Sequence, residues 1–191
     1  MKVAKFGGSS LSNATQIKKV ASIVQNDKDI KTIVVSAPGK RHDDDVKVTD
    51  MLIALYTNKI TDLDIEDALN EILKRYESII DELSIDRSLL DDFERILRDY
   101  LTTIEDNAAL LDALKSRGED FNARLISTYF QSLGLSAIYV SPEEAGIKVT
   151  NSPANARLIP SSYDDISKLK DYPEDVLVIP GFYGIDRKSV V

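Results

Sequence analysis

The sequence predicts an α/β protein with a mainly parallel sheet and an inserted helical subdomain, and three observations support this. A strand, a helix and a second strand fall within residues 2–36. Residues 61–117 show helical periodicity and no strand-like run. Two more short apolar runs, at 136–140 and 176–179, have the pattern of further strands. Strands that alternate with helices are typical of a parallel sheet covered by helices.

The first observation is a βαβ unit. Lys2–Phe6 has the pattern of a short strand, and Asn13 can cap the helix that follows. Thr32–Ser36 is a continuous, mostly β-branched run, which is typical of a strand buried on both faces of a parallel sheet. The crossover between the two strands is expected to be right-handed. The apolar face of the helix consists of Ile17, Val20, Ala21 and Val24.

The second observation concerns residues 61–117, where apolar side chains recur at helical spacing. We interpret this stretch as a helical subdomain beside the sheet, with a role in packing and in contact between subunits. A separate helix begins at Thr49, ahead of this stretch. The segment from Arg117 to Asp120 is expected to open a further helix, which Gly134 ends.

Composition narrows the class of protein. The 191 residues are 43% apolar and 29% charged, which is ordinary for a soluble globular domain. The formal net charge of −8 argues against a nucleic-acid partner, which needs a basic face. No apolar run approaches the roughly 18 residues of a membrane span. Cysteine is absent, so there is no disulfide framework and no thiolate metal site. We expect a cytoplasmic protein.

The segment after the first strand suggests phosphate chemistry. Gly7 and Gly8 follow the strand and precede a helix, so backbone N–H groups can approach an anion there. Lys5 can supply a full positive charge. The segment could also be only a tight turn that carries a surface lysine, but its residues favour phosphate binding. It is not a P-loop, since Gly39-Lys40 lacks the first glycine of that motif and the hydroxyl residue that ends it.

Three other segments offer candidate site residues. Ser36 ends the second strand, and ligands of parallel sheets collect beyond the carboxyl ends of strands. The alternative is an ordinary βα turn. Glu119 and Asp120 at a helix start would complement the helix dipole, and a carboxylate there could also receive a substrate ammonium. His42 lies among acidic residues in a solvated loop, and no metal site is predicted because no second His or Cys completes a ligand shell.

Five short segments, spread over nearly the whole chain, match one family in order and spacing. They are Lys5–Leu11, Val34–Lys40, Val48–Asp50, Gly118–Arg124 and Val178–Gly184. They resemble the aspartokinases of the amino-acid kinase family. The first and fourth segments are the most specific, and Pro38 stands where the family usually has Met.

The resemblance implies a three-layer αβα amino-acid kinase fold, incomplete at the C-terminus. Residues 1–191 would be the N-terminal portion of the kinase domain, with the helical insertion at about 61–117 and without the regulatory ACT domains. The family continues, after the turn that ends at Gly184 and one more strand, into a Ser-Arg-Gly-Gly-Ser-Asp segment. Its Arg would bind the α-carboxylate of aspartate. We therefore expect these residues alone to have negligible kinase activity.

The resemblance also implies how ATP is bound. Lys5, together with Gly7, Gly8 and Ser9, would hold the ATP phosphates. Lys5 would be catalytic, since its charge would stabilise the γ-phosphoryl group during transfer. Mg²⁺ would be held mainly through the nucleotide phosphates.

On the substrate side, the resemblance implies L-aspartate as acceptor and 4-phospho-L-aspartate as product, at the entry to lysine, threonine and methionine synthesis. Ser36 would border the junction of phosphate and substrate, and Thr49 would bind aspartate. Glu119 would take the α-ammonium group, and Phe182 would line the pocket. A homodimer is the family expectation.

Two alternatives stay open. The first is a related kinase for glutamate, N-acetylglutamate or carbamate, although Glu119 in its Gly-Glu-Asp setting favours a substrate with a free amino group. The second is a non-catalytic remnant that dimerises or regulates through residues 61–117.

Overall fold

The sheet consists of four parallel strands: β1 (Lys2–Phe6), β2 (Ile30–Val35), β3 (Ala137–Tyr139) and β4 (Val176–Pro180). The computed structural model describes residues 1–152 and 155–186. The spatial order is β1-β2-β4-β3, and every pairing is parallel. The predicted α/β fold with a parallel sheet is confirmed. Because all four strands run the same way, the segments that follow them gather at one edge of the sheet.

Helices account for most of the remaining chain. The first begins after Asn13, whose side-chain oxygen accepts a hydrogen bond from the Gln16 N–H at 3.0 Å, as predicted for a cap. None of the helices in the described ranges is long and apolar enough to cross a bilayer. The helices are α1 (Ala14–Asn26), α2 (Val48–Ile60), α3 (Glu66–Leu83), α4 (Ser88–Thr103), α5 (Asn107–Ser132) and α6 (Ser161–Ser167).

Helix α5 corrects one prediction. The chain was expected to start a new helix at Arg117, but α5 runs without a break from Asn107 to Ser132. Its start is capped instead by Asp106, whose side chain accepts a hydrogen bond from the Ala109 N–H at 2.8 Å. Arg117 therefore lies in the middle of the helix. The same holds for Glu119 and Asp120, so the helix dipole does not explain them.

The main core lies on the face of the sheet that α5 covers. Apolar side chains of α1 to α5 pack there with Ile33 and Val35 of β2. Phe93 of α4 stacks on Phe121 of α5 with ring centroids 4.1 Å apart, and Tyr76 of α3 meets both rings edge-on. This aromatic cluster fixes α3, α4 and α5 as one helical layer, and α5 joins that layer to the strands.

The opposite face is only partly covered. Leu177 and Ile179 of β4 pack under the segment after β3, in a small separate core. Beside it lies an apolar groove of about 690 Å³ over β1 and β2, which Val3, Val34 and Ile179 help to line. Val3 is 63% exposed on the edge strand. The groove therefore leaves apolar side chains of the sheet open to solvent on this face.

The end of the chain is only partly within the described residues. Ile185 forms an isolated parallel bridge with Lys148. Residues 185–191 were expected to form a turn that enters a strand, and 187–191 lie outside the described residues.

Candidate active site

A cavity of about 410 Å³ lies at the edge of the sheet where β1 and β2 end. It brings together five residues that the sequence singled out, from the β1–α1 connection, the β2–α2 connection and α5. They are Gly8, Ser9, Ser36, Thr49 and Glu119. The cavity therefore joins segments that are more than 100 residues apart in sequence.

The two loops that floor the cavity are in backbone contact. The Gly39 N–H donates a hydrogen bond to the Gly8 carbonyl oxygen at 2.9 Å. A Cβ atom at Gly39 would lie 2.6 Å from the Gly8 carbonyl carbon, and one at Gly8 would lie 3.0 Å from the Ala37 oxygen. Gly39 therefore requires glycine for close approach, and at Gly8 the space for a side chain is tight. Close approach does not explain the glycine at Gly7, because a Cβ atom there would meet open space.

Glu119 is the buried acid of the cavity. It is 7% exposed, and its carboxylate accepts a hydrogen bond from the Ala37 backbone N–H. Its Oε2 atom is buried and has no hydrogen-bond partner among the described residues. Burial raises the pKa of Glu119 to about 7. The backbone N–H groups of Ala37 and Glu119 and the charge of Lys115 act to lower this pKa, but their effect is smaller. A buried carboxylate with a free oxygen at a cavity wall is suited to bind a cationic group.

Gly118 allows Glu119 to reach this position. A Cβ atom at Gly118 would lie 2.7 Å from the Ala37 Cβ atom. Only glycine lets α5 pass so close to the segment that follows β2. The Gly118-Glu119 pair thus places the carboxylate against the segment after β2, where it accepts the hydrogen bond from the Ala37 N–H.

Two hydrogen bonds to backbone oxygens hold the connection between β2 and α2 at the cavity. Asn122 of α5 donates from its side-chain nitrogen to the Ser36 carbonyl oxygen at 2.7 Å. The Val48 N–H donates to the Pro38 oxygen at 3.2 Å, which brings the start of α2 back over the loop. The two hydrogen bonds therefore hold both ends of the connection between β2 and α2, where Ser36 and Thr49 lie.

Two predicted phosphate-binding residues stand outside the cavity wall. Lys5 is exposed on β1, paired in register with Val34, so its side chain is on the face of the open groove. Its ammonium makes no hydrogen bond or ion pair within the described ranges. Gly7 precedes the cavity-lining Gly8. Their roles toward ATP stay predictions.

Phe182 is also outside the cavity. It follows β4, is 72% exposed, and borders the apolar groove. Its φ of 77° is in the left-handed region, which costs a non-glycine residue about 1 kcal/mol or more. The Lys115 ammonium lies 5.2 Å from the centre of its ring. The assignment of Phe182 to the substrate pocket stays a prediction.

A buried network around Asp120 fixes the turn that carries Phe182. The Asp120 carboxylate pairs with Arg117 at 3.0 Å and with Arg124 at 2.8 Å, and it accepts hydrogen bonds from the hydroxyls of Tyr183 and Tyr139. Burial acts to raise the pKa of Asp120, but the two guanidinium groups outweigh it and the pKa is lowered. The spacing of Arg117, Asp120 and Arg124 on one helix face signals this cluster in the sequence.

Sequence reasoning missed two cations, Lys40 and Lys47, which also line the cavity. Both belong to the loop between β2 and α2, which looked like an ordinary polar loop. The Lys40 ammonium donates to the Asp43 carbonyl oxygen at 2.9 Å. The Lys47 ammonium has no hydrogen bond or ion pair in the described structure. The available signal in the sequence was position: Lys40 follows Ser36 closely, and Lys47 comes just before Thr49.

Residues 1–190 match the sequence model of the Amino acid kinase family. The chain belongs to this family. This amino acid kinase is 40% identical to Aspartokinase 3 of Bacillus subtilis over 195 aligned residues, which cover 100% of the chain and 42% of the relative. It is 26% identical to the chloroplastic Aspartokinase 1 of Arabidopsis thaliana, over 98% of the chain and 34% of that protein. The chain thus spans about two fifths or less of the length of these relatives.

Solved structures agree with the fold of this amino acid kinase. The aspartate kinase of Clostridium acetobutylicum superposes with a TM-score of 0.83 at 32% identity, covering 98% of the chain and 40% of that protein. Aspartokinase III of E. coli, in complex with aspartate and ADP, superposes with a TM-score of 0.76 over 98% of the chain and 42% of that protein. At 20% identity the second match supports the fold alone. The predicted amino-acid kinase fold is confirmed.

Proposed function

We propose that this chain is the N-terminal part of an aspartokinase catalytic domain, which transfers the γ-phosphoryl group of ATP to the side-chain carboxylate of L-aspartate. The product is 4-phospho-L-aspartate, which enters lysine, threonine and methionine biosynthesis. The observation that carries the proposal is the buried, unpaired Oε2 atom of Glu119 in a cavity shared with Gly8, Ser36 and Thr49. The 40% identity to a bacterial aspartokinase supports the same substrate.

Glu119 binds the α-ammonium group of the substrate. The group supplies the positive charge that the buried carboxylate lacks, and it replaces the missing hydrogen bond at Oε2. The Thr49 hydroxyl and the Ser36 segment bind the rest of the amino acid. This arrangement favours aspartate over N-acetylated amino acids, because an acetylated nitrogen carries no charge.

The loop after β1 binds the nucleotide. Backbone N–H groups of Gly7, Gly8 and Ser9 face the phosphates, and Lys5 stabilises charge on the transferred group. The nucleophile needs no general base, because a carboxyl group with a pKa near 4 is already ionised at neutral pH. Mg²⁺ is held through the ATP phosphates, and no group of three His, Asp or Glu side chains in the described ranges offers a separate metal site.

The test is a comparison of two ligands on two variants. Binding of L-aspartate and of N-acetyl-L-aspartate is followed by ¹⁵N NMR at the amides of Gly8 and Ala37. We expect L-aspartate to bind at least tenfold more tightly, and Glu119→Gln to remove that preference. Glu71→Gln, an exposed site on α3, is the matched control. Equal binding of the two ligands, or tighter binding of glutamate or N-acetylglutamate, contradicts the proposal.

A further inference from the structure

Glu119 has a possible ion-pair partner on its own helix, and it does not use it. Lys115 precedes Glu119 by four residues on α5, a spacing that places two side chains side by side on one helix face. Lys115 is half-buried, and its ammonium makes no hydrogen bond or ion pair within the described ranges. The Glu119 Oε2 atom is buried and also has no partner there. Two neighbouring opposite charges are therefore kept apart.

The ring of Phe182 holds the Lys115 ammonium instead. The Nζ atom lies 5.2 Å from the centre of the ring, within the roughly 6 Å over which an aromatic face attracts a cation. Lys115 is still close enough to Glu119 for its charge to act against the raised pKa of that carboxyl. Lys115 thus has two partners within its reach, the ring and the carboxylate, and the structure shows it at the ring.

The turn after β4 holds Phe182 in this place at a cost in backbone energy. The φ angle of Phe182 is 77°, and such a conformation persists only where the surrounding contacts impose it. The ring is 72% exposed, so its own burial does not impose it. The next residue, Tyr183, is buried and donates from its hydroxyl to Asp120 at 2.9 Å. This contact ties the turn to α5, the helix that carries Lys115.

The partner of Lys115 decides whether the cavity is open to an amine. The lysine ammonium and a substrate α-ammonium have the same charge and three N–H donors each. If Lys115 turned to Glu119, its ammonium would satisfy the free Oε2 atom from within the protein. The buried carboxylate would then have no unmet need for a cationic ligand.

We propose that Phe182 is a positioning residue that binds the Lys115 ammonium and so keeps Glu119 free for the ammonium group of the substrate. Lys115 is then an internal competitor of the substrate for one carboxylate. The inference rests on the proposed function for the identity of the ligand. It differs from a place for Phe182 in the wall of the substrate pocket, because the ring acts through Lys115 and need not touch the substrate.

The first experiment is a double-mutant cycle, with the dissociation constant of L-aspartate measured by ¹⁵N NMR titration of the chain. Phe182→Leu keeps an apolar side chain and removes the aromatic face. We expect it to weaken binding about two- to fivefold, the factor that corresponds to one exposed cation–π contact. Adding Lys115→Met should restore wild-type binding, since the competitor is then absent. Phe182→Tyr retains the face and should bind as the wild type does.

Lys59→Met is the matched control, because it removes an equal charge from the exposed end of α2. Added to Phe182→Leu, it should restore nothing. Binding that Phe182→Leu leaves unchanged overturns the inference. So does a loss of binding that Lys115→Met fails to restore, which would mean that the ring contacts the substrate itself. Weaker binding by Lys115→Met alone also overturns it, since removing a competitor cannot weaken binding.

A second experiment needs no ligand and measures the pKa of Glu119 by ¹³C NMR of its carboxyl group. We expect Phe182→Leu to lower this pKa, because Lys115 then pairs with the carboxylate, and the double variant with Lys115→Met not to lower it. An unchanged pKa in Phe182→Leu overturns the inference. If the wild-type chain binds no L-aspartate, the proposed function fails, and this measurement still decides whether the ring keeps Lys115 from Glu119.

A third measurement uses the wild-type chain alone and covers the case in which Phe182→Leu does not fold. Protons held over an aromatic face resonate upfield of their usual position. We expect this shift for the εCH₂ protons of Lys115. Signals at the ordinary lysine position overturn the inference.

Discussion

Glu119 is a residue at which the folded chain gives up stability, and under the proposed function this cost favours ligand binding. Its carboxylate is buried with one oxygen unpaired, and burial raises its pKa from 4.5 to about 7. Without a ligand, the ionised form is therefore disfavoured in the folded chain. A change of this size in pKa corresponds to about 3 kcal/mol. An ammonium ligand reverses the effect, because it stabilises the ionised form that the empty site disfavours.

The stability of the fold should depend on pH through this residue. The folded-state pKa is raised, so the folded chain holds the proton more tightly than the unfolded chain. The stabilisation this gives is full below about pH 4.5 and is lost as the pH rises through about 7. We expect Glu119→Gln to be more stable than the wild type at pH 8 by up to about 3 kcal/mol, and equally stable near pH 4.

Urea unfolding at the two pH values measures this difference. Glu71→Gln serves as the exposed control and should match the wild type at both. A Glu119→Gln variant that is less stable than the wild type at pH 8 contradicts a raised pKa for Glu119.

At the scale of elements, the loop after β1 and the loop after β2 contact each other through glycine residues. This contact forms the floor of the cavity. Gly39 and Gly8 touch through their backbones, with no room for a Cβ atom at Gly39. We expect Gly39→Ala to destabilise the chain by about 1–3 kcal/mol, since backbone on both sides must move. Gly7→Ala is the matched control in the same loop, and it should stay within about 0.5 kcal/mol, because its added methyl group meets open space. Thermal unfolding of the two variants measures this difference in stability. Equal losses of stability in Gly39→Ala and Gly7→Ala would argue against the close contact at Gly39.

Comparison of the predicted with the observed elements shows which parts of the fold local sequence patterns can predict. The strand β1, the cap at Asn13 and the strand β2 carry local signals, and the structure confirms them. The break predicted at Arg117 was wrong because Gly118 resembles a helix boundary in the sequence. Its actual role is close packing against Ala37, which is a contact between residues far apart in the chain. Propensity rules do not contain contacts of this kind.

The same limit applies to the site. Gly8, Ser36, Thr49 and Glu119 were predicted by motif, and the structure places them at one cavity. Lys47 was missed. The loop that carries it is attached to α3 by the buried ion pair of Asp45 and Arg75. No local pattern links Asp45 to Arg75, which lies 30 residues later.

At the scale of the whole molecule, the sheet has a thick helical layer on one face and an open apolar groove on the other. Lys5, the predicted catalytic cation, lies on the open face and is exposed to solvent. A charge stabilises a transition state far less in water than in a site that excludes it. We therefore expect the 191-residue chain, tested by itself, to form no more aspartyl phosphate than its Lys5→Met variant.

Hydroxylamine trapping of the acyl phosphate measures this activity. Aspartyl phosphate formed by the wild-type chain well above the level of Lys5→Met contradicts the expectation. Such a result would also show that Lys5 functions while exposed.

Glu119 and Asp120 are neighbours on one rigid helix, and each faces a different part of the molecule. The first borders the cavity, and the second binds the tyrosine of the turn after β4. The turn after β4 is therefore attached to α5 at the residue next to the one that borders the cavity. Two adjacent residues of one helix thus join the edge of the groove to the wall of the cavity.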